Sequence, residues 1–517
     1  MTANLKAPTE DLLTYTFAHG SHDLDRPILV DAAAPSRCLS TRQIVTDIKR
    51  VIAGLHALGI KPGDTVLVHS FNDIYYTVLF FAIIGIGGRF AGSNPAYTST
   101  ELIHHFWVTD ARLVICMPEC LEPVLKAADQ VGVRQNNILL FDPHKPQPQA
   151  AIAAGIRSWT ELFLHGERDW HAGTTGLHKA AAVSHQALAL NDTVIQDSQY
   201  KDYPVSRLIC LPQFHAFASP LSHVGPFRKG VTTYIMSRFI RVVQDHQITE
   251  APMVPAIITQ FVRTLSPADP SAGPLRSLRW VWSAGSPLEP SIHRAFEDLI
   301  HPTGSVAQVW GLTELGWVST FKAPARGIAG SVGMLLPFVE RKIVNDQGRE
   351  IVDAVTTGAV GELYVRSPMR MRCYLAMPTE TASAFDDNGL YRTGDIGYCR
   401  DGIWYIISRV KDLIKVRGWQ VSPSEIEATL LAHSGVADAA VVGVTPPGRS
   451  SEVPRAYIVR ADSSRTESDI HVWVRERLAS YKALDGGVEF VNVIEKSSTG
   501  KILKTVLRDS YARGINL

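Results

Sequence analysis

Through its first third the chain alternates apolar residues at helical spacing with short runs that are apolar on both faces, and few architectures accept that pattern. Thr41 to Leu58 places Ile44, Val45, Ile48, Val51, Ile52 and Leu55 at helical spacing and stops at Gly59. The turn residues Lys61-Pro62-Gly63-Asp64 lead into a strand-like run, Thr65 to Val68. A helix is expected from Asp73 to Ile84 and a further strand from Ala111 to Cys116. Strands that are apolar on both sides belong in a parallel sheet covered by helices. The alternation returns at Arg207 to Leu211, at Leu278 to Trp282 and in the helix Pro290 to Ile300.

From about Gly330 the texture changes to short strands with close turns, Val339 to Val344, Glu362 to Val365 and Ile403 to Ile407, which reads as a β-rich subdomain. Beyond the charged cluster Arg409-Val410-Lys411-Asp412 come a helix (Pro423 to Leu431), two strands (Ala437 to Val444, Arg455 to Arg460) and a helix (Glu467 to Ala479). The expected fold class is therefore α/β. A large N-terminal domain, 1–408, holds layered parallel sheets, helices and the β-rich subdomain; residues 409–412 mark the domain boundary; residues 413–517 form a small α+β domain.

The 517 residues carry 51 Lys+Arg against 50 Asp+Glu, a net charge of +1, so there is no electrostatic footprint for nucleic acid or an anionic membrane. Any anionic ligand must be held by a local site. The six scattered cysteines include no CxxC pair, which points away from a disulfide scaffold and towards a reducing compartment. The longest apolar run, Val78 to Gly88, is too short to span a bilayer and reads as a buried helix. The expectation is a cytoplasmic protein; a peroxisomal one remains possible, although Ile515-Asn516-Leu517 is not the Ser-Lys-Leu address.

Five segments could carry chemistry. In His171-Ala172-Gly173-Thr174-Thr175-Gly176-Leu177-His178-Lys179, two glycines let backbone N–H groups approach an anion, two threonine hydroxyls can donate to phosphate, and Lys179 adds charge. Alone, it equally fits a Gly/Thr surface turn. Trp310-Gly311-Leu312-Thr313-Glu314 offers a Thr/Glu pair for a phosphate and a hard cation, or else a helix start capped by Thr313. Tyr391-Arg392-Thr393-Gly394-Asp395 presents a carboxylate suited to a ribose diol, or is only a turn. The segment Ser408 to Gln420 sets five charges around a short apolar run, either a solvated edge or the lining of a cleft. Ser497-Ser498-Thr499-Gly500-Lys501 could deliver a mobile lysine to a developing anion, or begin the helix Ile502 to Leu507.

Taken together in this order, the segments resemble the signature set of the adenylate-forming superfamily, whose members include acyl- and aryl-CoA ligases. Leu211-Pro212-Gln213-Phe214-His215, Gly330-Ser331-Val332-Gly333 and Asn94-Pro95-Ala96-Tyr97-Thr98 also resemble family segments. The phrasing around Lys415 to Val421 is similar to coumarate-type and fungal biosynthetic CoA ligases. The resemblance runs from about residue 25 to 510. It implies activation of a small carboxylic acid with ATP and Mg²⁺ to an acyl-adenylate, then displacement of AMP by a thiol, usually that of coenzyme A.

Carried over by position, the resemblance makes Lys501 the stabiliser of the α-phosphate and carboxylate. Glu314 becomes a holder of Mg²⁺, Thr313 a contact to the α-phosphate, and Gly173, Thr174, Thr175, Gly176 and Lys179 the phosphate loop. Asp395 would bind the ribose with support from Arg409, while Gly285, Ser286 and Gln308 lie along the adenine. Lys411 takes the hinge position; after rotation Lys415 and Gln420 contact the adenylate, and Arg417 and Gly418 line the pantetheine tunnel. His215, Phe217 and Trp310 border the acyl pocket, whose apolar surroundings (Ser283, Ala284, Trp317) suit an aromatic or medium-chain fatty acid.

The chain also departs from the pattern. His171-Ala172 replaces hydroxyl residues, His178 replaces a proline, Ser408 an aspartate and Trp310 a tyrosine. No strand precedes the phosphate loop: Arg168-Asp169-Trp170 follows directly on a helix at Ser158 to Leu164, and a second shortening falls near Arg238-Phe239-Ile240. Losing a central strand would leave buried backbone groups unpaired at about 1–3 kcal/mol each. The sequence thus represents either an imperfect gene model or a catalytically impaired relative, and the intact distal motifs favour the first. The leading expectation is an acid–CoA ligase serving secondary metabolism. The alternatives are a stand-alone enzyme that loads an acyl carrier protein, the absence of a carrier domain after Leu517 speaking against a synthetase fragment, and a non-catalytic binding protein.

Overall fold

The helix Thr41–Ala57 shows how directly the sequence sets local structure. Ser40 Oγ accepts from the Gln43 N–H at 3.2 Å and Gln43 Oε1 accepts from the Ser40 N–H at 2.8 Å, a closed capping box. Its buried stripe, Ile44, Ile48, Val51, Ile52 and Leu55, enters the largest apolar cluster. The next helix, Tyr76–Gly85, is buried at all ten positions, as its uniformly apolar sequence requires. It begins three residues later than the Asp73 expected, because Asp73 acts before the helix: its Oδ1 accepts from the Tyr75 N–H at 2.8 Å and from Arg37 at 2.9 Å.

The computed structural model describes residues 6–143, 155–170, 181–197, 199–236, 240–265, 273–417, 419–447, 449, 451–496 and 502–514. Two sheets of parallel strands dominate. One has the order Ser305–Gln308, Trp280–Ser283, Glu250–Met253, Ser206–Ile209, Thr232–Ile235, Pro27–Asp31, Cys38–Ser40, with only the last pair antiparallel. The other is parallel throughout, ordered Arg89–Ser93, Thr65–His69, Ala111–Cys116, Ile138–Leu140, Arg157–Ser158. The largest apolar cluster draws on both, joining Ile28, Trp280 and Trp282 to Val66, Ile115 and Leu139.

The antiparallel part starts earlier than Gly330. Trp310–Leu312, Gly316–Thr320 and Met334–Leu335 form one small sheet, and Glu340–Val344, Gly361–Arg366, Tyr391–Arg400 and Ile403–Arg409 a second. A short 3₁₀ turn, Val410–Asp412, follows. Beyond it lie the hairpin Ile414–Val416/Trp419–Val421 and a sheet in which Val453–Arg460 pairs with Val436–Val444 and Val488–Phe490. Among the described residues, the apolar cluster centred on Ile414, Ile426, Val441, Ile458 and Ile470 contains none before 414.

Trp159–Leu164 is a 3₁₀ helix, and residues 165–170 contain no strand. They are anchored instead on Lys49, whose carbonyl accepts from the Arg168 N–H at 3.1 Å and whose Nζ lies 2.6 Å from Asp169 and 5.8 Å from the Trp170 ring centre. Among the described residues no helix is long and apolar enough to cross a membrane.

The weakest joint in the seven-stranded sheet lies between Ser206–Ile209 and Glu250–Met253, where a single register pair, Glu250 with Arg207, links the strands. The same two side chains form a buried ion pair, Arg207 Nη2 to Glu250 Oε2 at 2.9 Å, and Lys201 also contacts Glu250. Burial pushes the Glu250 carboxyl up, but Lys201 and Arg207 outweigh it and hold it below the usual carboxylate range. Removing one partner leaves a buried charge uncompensated, so Glu250→Ala should destabilise the protein by about 3–5 kcal/mol. Denaturant unfolding followed by tryptophan fluorescence checks this, and a loss below about 1 kcal/mol would contradict it.

Candidate active site

Asp395 owes its place to strand periodicity. Along Tyr391–Arg400 burial alternates strictly, putting Tyr391, Thr393 and Asp395 on the inner face. The segment is thus a strand rather than the isolated turn that its Gly-Asp pair also allowed. Thr393 Oγ1 donates to the Leu363 carbonyl at 2.6 Å and accepts from the Asp395 N–H at 3.0 Å. Register sets Asp395 opposite Arg409, whose Nε lies 2.9 Å from Asp395 Oδ1. The Trp310 indole N–H donates to Oδ2 at 2.8 Å. Asp395 is only 3% exposed, and a carboxylate so buried needs such donors.

The Trp310 segment forms a hairpin, not a helix start. Gly316 turns it with φ +69°, and a Cβ on Gly311 would lie 2.5 Å from the Gly316 carbonyl oxygen, so both positions require glycine. Thr313 and Glu314 sit at its tip, half-buried. Glu314 Oε1 accepts from the Tyr374 hydroxyl at 3.0 Å, and the Tyr374 and Tyr391 hydroxyls lie 2.9 Å apart. Tyr374 has one proton and gives it to Glu314, so Tyr391 donates to Tyr374. Burial and the Glu314 charge push the Tyr374 phenol up, keeping it a donor. Sequence reading missed Tyr374, which carries no motif of its own. Its neighbour Cys373 accepts from the Ala182 N–H at 2.7 Å, and Arg372 donates to the Ala182 carbonyl at 2.6 Å, so this segment meets the chain just after residues 171–180.

Gln308 ends its strand, and its buried amide joins two loops: Oε1 accepts from the Leu288 N–H at 2.9 Å and Nε2 donates to the Ser331 carbonyl at 3.2 Å. Gly285 (φ +97°) and Ser286 lie exposed in the loop that follows the adjacent strand Trp280–Ser283. These loops leave the carboxyl ends of parallel strands, the usual ligand side of such a sheet.

His215 and Phe217 form a third group. The His215 Nδ1 accepts from the Phe217 N–H at 3.2 Å; the Phe217 ring lies 5.3 Å from Trp317, whose indole donates to the Phe217 carbonyl at 3.3 Å. Beneath them His223, pushed down to about 3 by burial, stacks on Phe80 and donates to the Gln213 carbonyl at 3.1 Å, which holds the Leu211–His215 loop. Trp310 belongs to a different apolar cluster, with Leu315, Val318 and Tyr391, and its N–H is turned to Asp395.

Lys415 pairs with Gln420 across the hairpin beyond the 3₁₀ turn, and both, with Arg417 (φ +47°), are exposed. The Lys415 N–H donates to Glu452 at 3.0 Å, and Trp419 stacks on Tyr481 at 4.8 Å. Lys411 lies exposed in the turn itself. Gly173, Thr174, Thr175, Gly176, Lys179, Gly418 and Lys501 lie outside the described residues. Among the described residues no group of three or more His, Cys, Asp or Glu could by itself hold a metal ion.

A shared nucleotide-binding architecture accounts for this grouping. Residues 17–375 match the family described as AMP-binding enzyme, and residues 425–501 its C-terminal domain. The chain belongs to the AMP-binding enzyme family. An acyl-CoA ligase (azaF) and a phenylacetyl-CoA ligase (epaB) of Aspergillus niger are each 39% identical to it, over 98% of this chain and 99% and 98% of theirs. A nicotinic acid-CoA ligase (pyr1) of Aspergillus fumigatus is 36% identical over 95% of this chain and 94% of its own. ATP-bound MatB from Rhodopseudomonas palustris superposes with a TM-score of 0.82 at 25% identity, covering 97% of this chain and 98% of that one. An anthranilate CoA ligase complexed with anthranoyl-AMP shares the fold, with a TM-score of 0.84 at 20% identity over 98% of both chains. The two A. niger matches extend over 531 and 533 positions, more than the 517 residues present here, so each relative carries segments that this AMP-binding enzyme lacks.

Replacing Gln308 by Ala would strand the buried Leu288 N–H and the Ser331 carbonyl. The expected loss is about 1–3 kcal/mol of stability, read as a lower thermal midpoint, together with a higher KM for ATP.

Proposed function

We propose that this AMP-binding enzyme is an AMP-forming acid–CoA ligase: it activates a carboxylic acid with ATP as the acyl-adenylate and passes the acyl group to the thiol of coenzyme A. The observation that carries this reading is the clasp on Asp395, a buried carboxylate held by Trp310 and Arg409 within the same subdomain as the Thr313-Glu314 hairpin tip. Relatives named as acyl-, phenylacetyl- and nicotinic acid-CoA ligases, similar over almost the whole chain, support it.

In this reading Asp395 accepts the ribose hydroxyls, and Gly285, Ser286 and Gln308 lie along the adenine. Gly173, Thr174, Thr175, Gly176 and Lys179 enfold the phosphates, and Thr313 donates to the α-phosphate. Mg²⁺ suits the donor set: it is commonly held by one or two carboxylates plus substrate phosphates, and Glu314, fixed by Tyr374, supplies a hard oxygen. Mg²⁺ there would neutralise phosphate charge. Lys501 approaches the carboxylate and α-phosphate as charge develops during adenylation. Residues 1–408 form the fixed body and 413–517 the moving one, turning about Lys411 so that Lys415 and Gln420, then Arg417 and Gly418, face the adenylate and the pantetheine arm. The paired rings of Phe217 and Trp317, next to His215, favour an aromatic acid.

The direct test is mass spectrometry of products from the purified chain with ATP, Mg²⁺ and a pool of aryl and fatty acids, with and without coenzyme A. Acyl-adenylate alone in the first case and acyl-CoA in the second is the expected result. Adenylate that never transfers to coenzyme A would make a carrier-protein thiol the acceptor, and a folded protein without product would make the shortened phosphate-loop region disabling. Lys411→Pro should retain adenylate formation while suppressing thioester formation; an equal loss in both half-reactions would refute the hinge.

A further inference from the structure

We propose that Trp310 is a positioning residue for the nucleotide: its indole N–H fixes the plane of the Asp395 carboxylate so that it meets the ribose hydroxyls of ATP. The inference rests on Asp395 being the ribose acceptor and adds a residue that acts through it.

The soft torsion of an aspartate is the one that turns its carboxylate, a broad two-fold sp³–sp² rotation that the backbone does not set. At Asp395 neighbouring donors set it. Arg409 Nε holds Oδ1 at 2.9 Å and Trp310 Nε1 holds Oδ2 at 2.8 Å, so each oxygen has a donor from a different element. An ionised carboxylate accepts about four hydrogen bonds, so two such contacts orient it while leaving it an acceptor. The two supports differ in firmness. The Arg409 side chain is 34% exposed and stands one residue before the turn Val410–Asp412. Trp310 is 6% exposed, is packed among Leu315, Val318 and Tyr391, and sits on a hairpin whose geometry Gly311 and Gly316 impose. The indole donor is part of the rigid ring, so a ring locked by packing is a locked N–H. Trp310 is therefore the stiffer of the two supports and does more than wall a pocket.

The test compares Trp310→Phe, and Trp310 replaced by 3-benzothienylalanine, which keeps the bicyclic shape and carries sulfur in place of N–H, with the unaltered full chain. AMP release is measured against ATP and against 2′,3′-dideoxy-ATP. The KM for ATP should rise about tenfold in both variants, the range expected for a hydrogen bond to a charged group, with the KM for the acid unchanged. With the dideoxy nucleotide, which has no hydroxyl for Asp395 to bind, the penalty should vanish. An equal penalty on both nucleotides would mean that Trp310 acts by packing, and an effect confined to the KM for the acid would make it a pocket wall; either overturns the proposal, as does an unchanged KM for ATP in the benzothienyl variant. Asp395→Asn separates the layers. If it leaves the KM for ATP unchanged, the ribose assignment itself fails; if it raises that KM while the benzothienyl variant does not, only the role of Trp310 falls.

Discussion

The buried ion pair of Arg207 and Glu250 is the constraint on which the large sheet depends. These two residues are the single register pair joining Ser206–Ile209 to Glu250–Met253, and their side chains meet at 2.9 Å with almost no exposure. On one side of that joint lie the strands ending at Asp31 and Ile235, on the other those ending at Ser283 and Gln308. Lys201 and Arg207 also lie near the Trp282 ring, at 5.0 and 5.6 Å, so the charged cluster is tied to the next strand. The position of the Gly285–Ser286 loop relative to the rest of the sheet thus rests in part on this ion pair, beside the bond from the Thr249 N–H to the Ser206 carbonyl at 2.9 Å. Such a pair is costly to break, whatever its net worth to stability.

The candidate site gathers where the carboxyl ends of the parallel strands meet the antiparallel subdomain. Gln308 belongs to the first and its amide reaches Ser331 at the edge of the second. The chain turns from Gln308 immediately into the Trp310 hairpin, so the amide that joins the two loops and the indole that holds Asp395 are near neighbours in sequence. A protein with a net charge of +1 has no general field to concentrate an anionic nucleotide, so on the proposed function local donors must hold it. The phenol chain from Tyr391 through Tyr374 to Glu314 links the strand that bears Asp395 to the hairpin tip.

The sequence was most legible where periodicity and local caps agree. Thr41–Ala57 has its stripe, its capping box and a glycine just past its end, and the expected span matches to within a residue. It was least legible where the deciding partner is distant. Trp310-Gly311-Leu312-Thr313-Glu314 reads equally well as a helix start, because the carbonyl of Gly316 that excludes a Cβ at Gly311 is visible only once the hairpin is closed. Tyr391 to Asp395 looked like a turn because Gly394 interrupts it, yet the pairing of Asp395 with Arg409 carries the strand through. Tyr374 could not be singled out at all, since its role comes from two oxygens that stand 60 and 17 positions away in sequence. The helix expected at Ser158 to Leu164 closed into a 3₁₀ turn beginning at Trp159, and residues 165–170 gain their anchorage from Lys49 rather than from a sheet.

The placement of Arg409 gives the proposed rotation a physical boundary. It is the last residue of Ile403–Arg409, paired in register with Asp395, and the turn containing Lys411 begins at the next residue. Turning the backbone at Lys411 therefore need not disturb the ladder that holds Asp395, because the strand pair ends before the turn starts. The hairpin carrying Lys415 and Gln420 lies wholly beyond it and, among the described residues, shares its apolar core with later residues only. A hinge placed three residues later would leave the exposed turn for the strand Ile414–Val416, whose Ile414 and Val416 are buried in that core, and rotation there would tear packing instead of bending an exposed turn. On the proposed function the nucleotide stays clasped by Trp310 and Asp395 while different faces of the small domain come to the adenylate, and one bound AMP moiety would serve both half-reactions without being released and rebound.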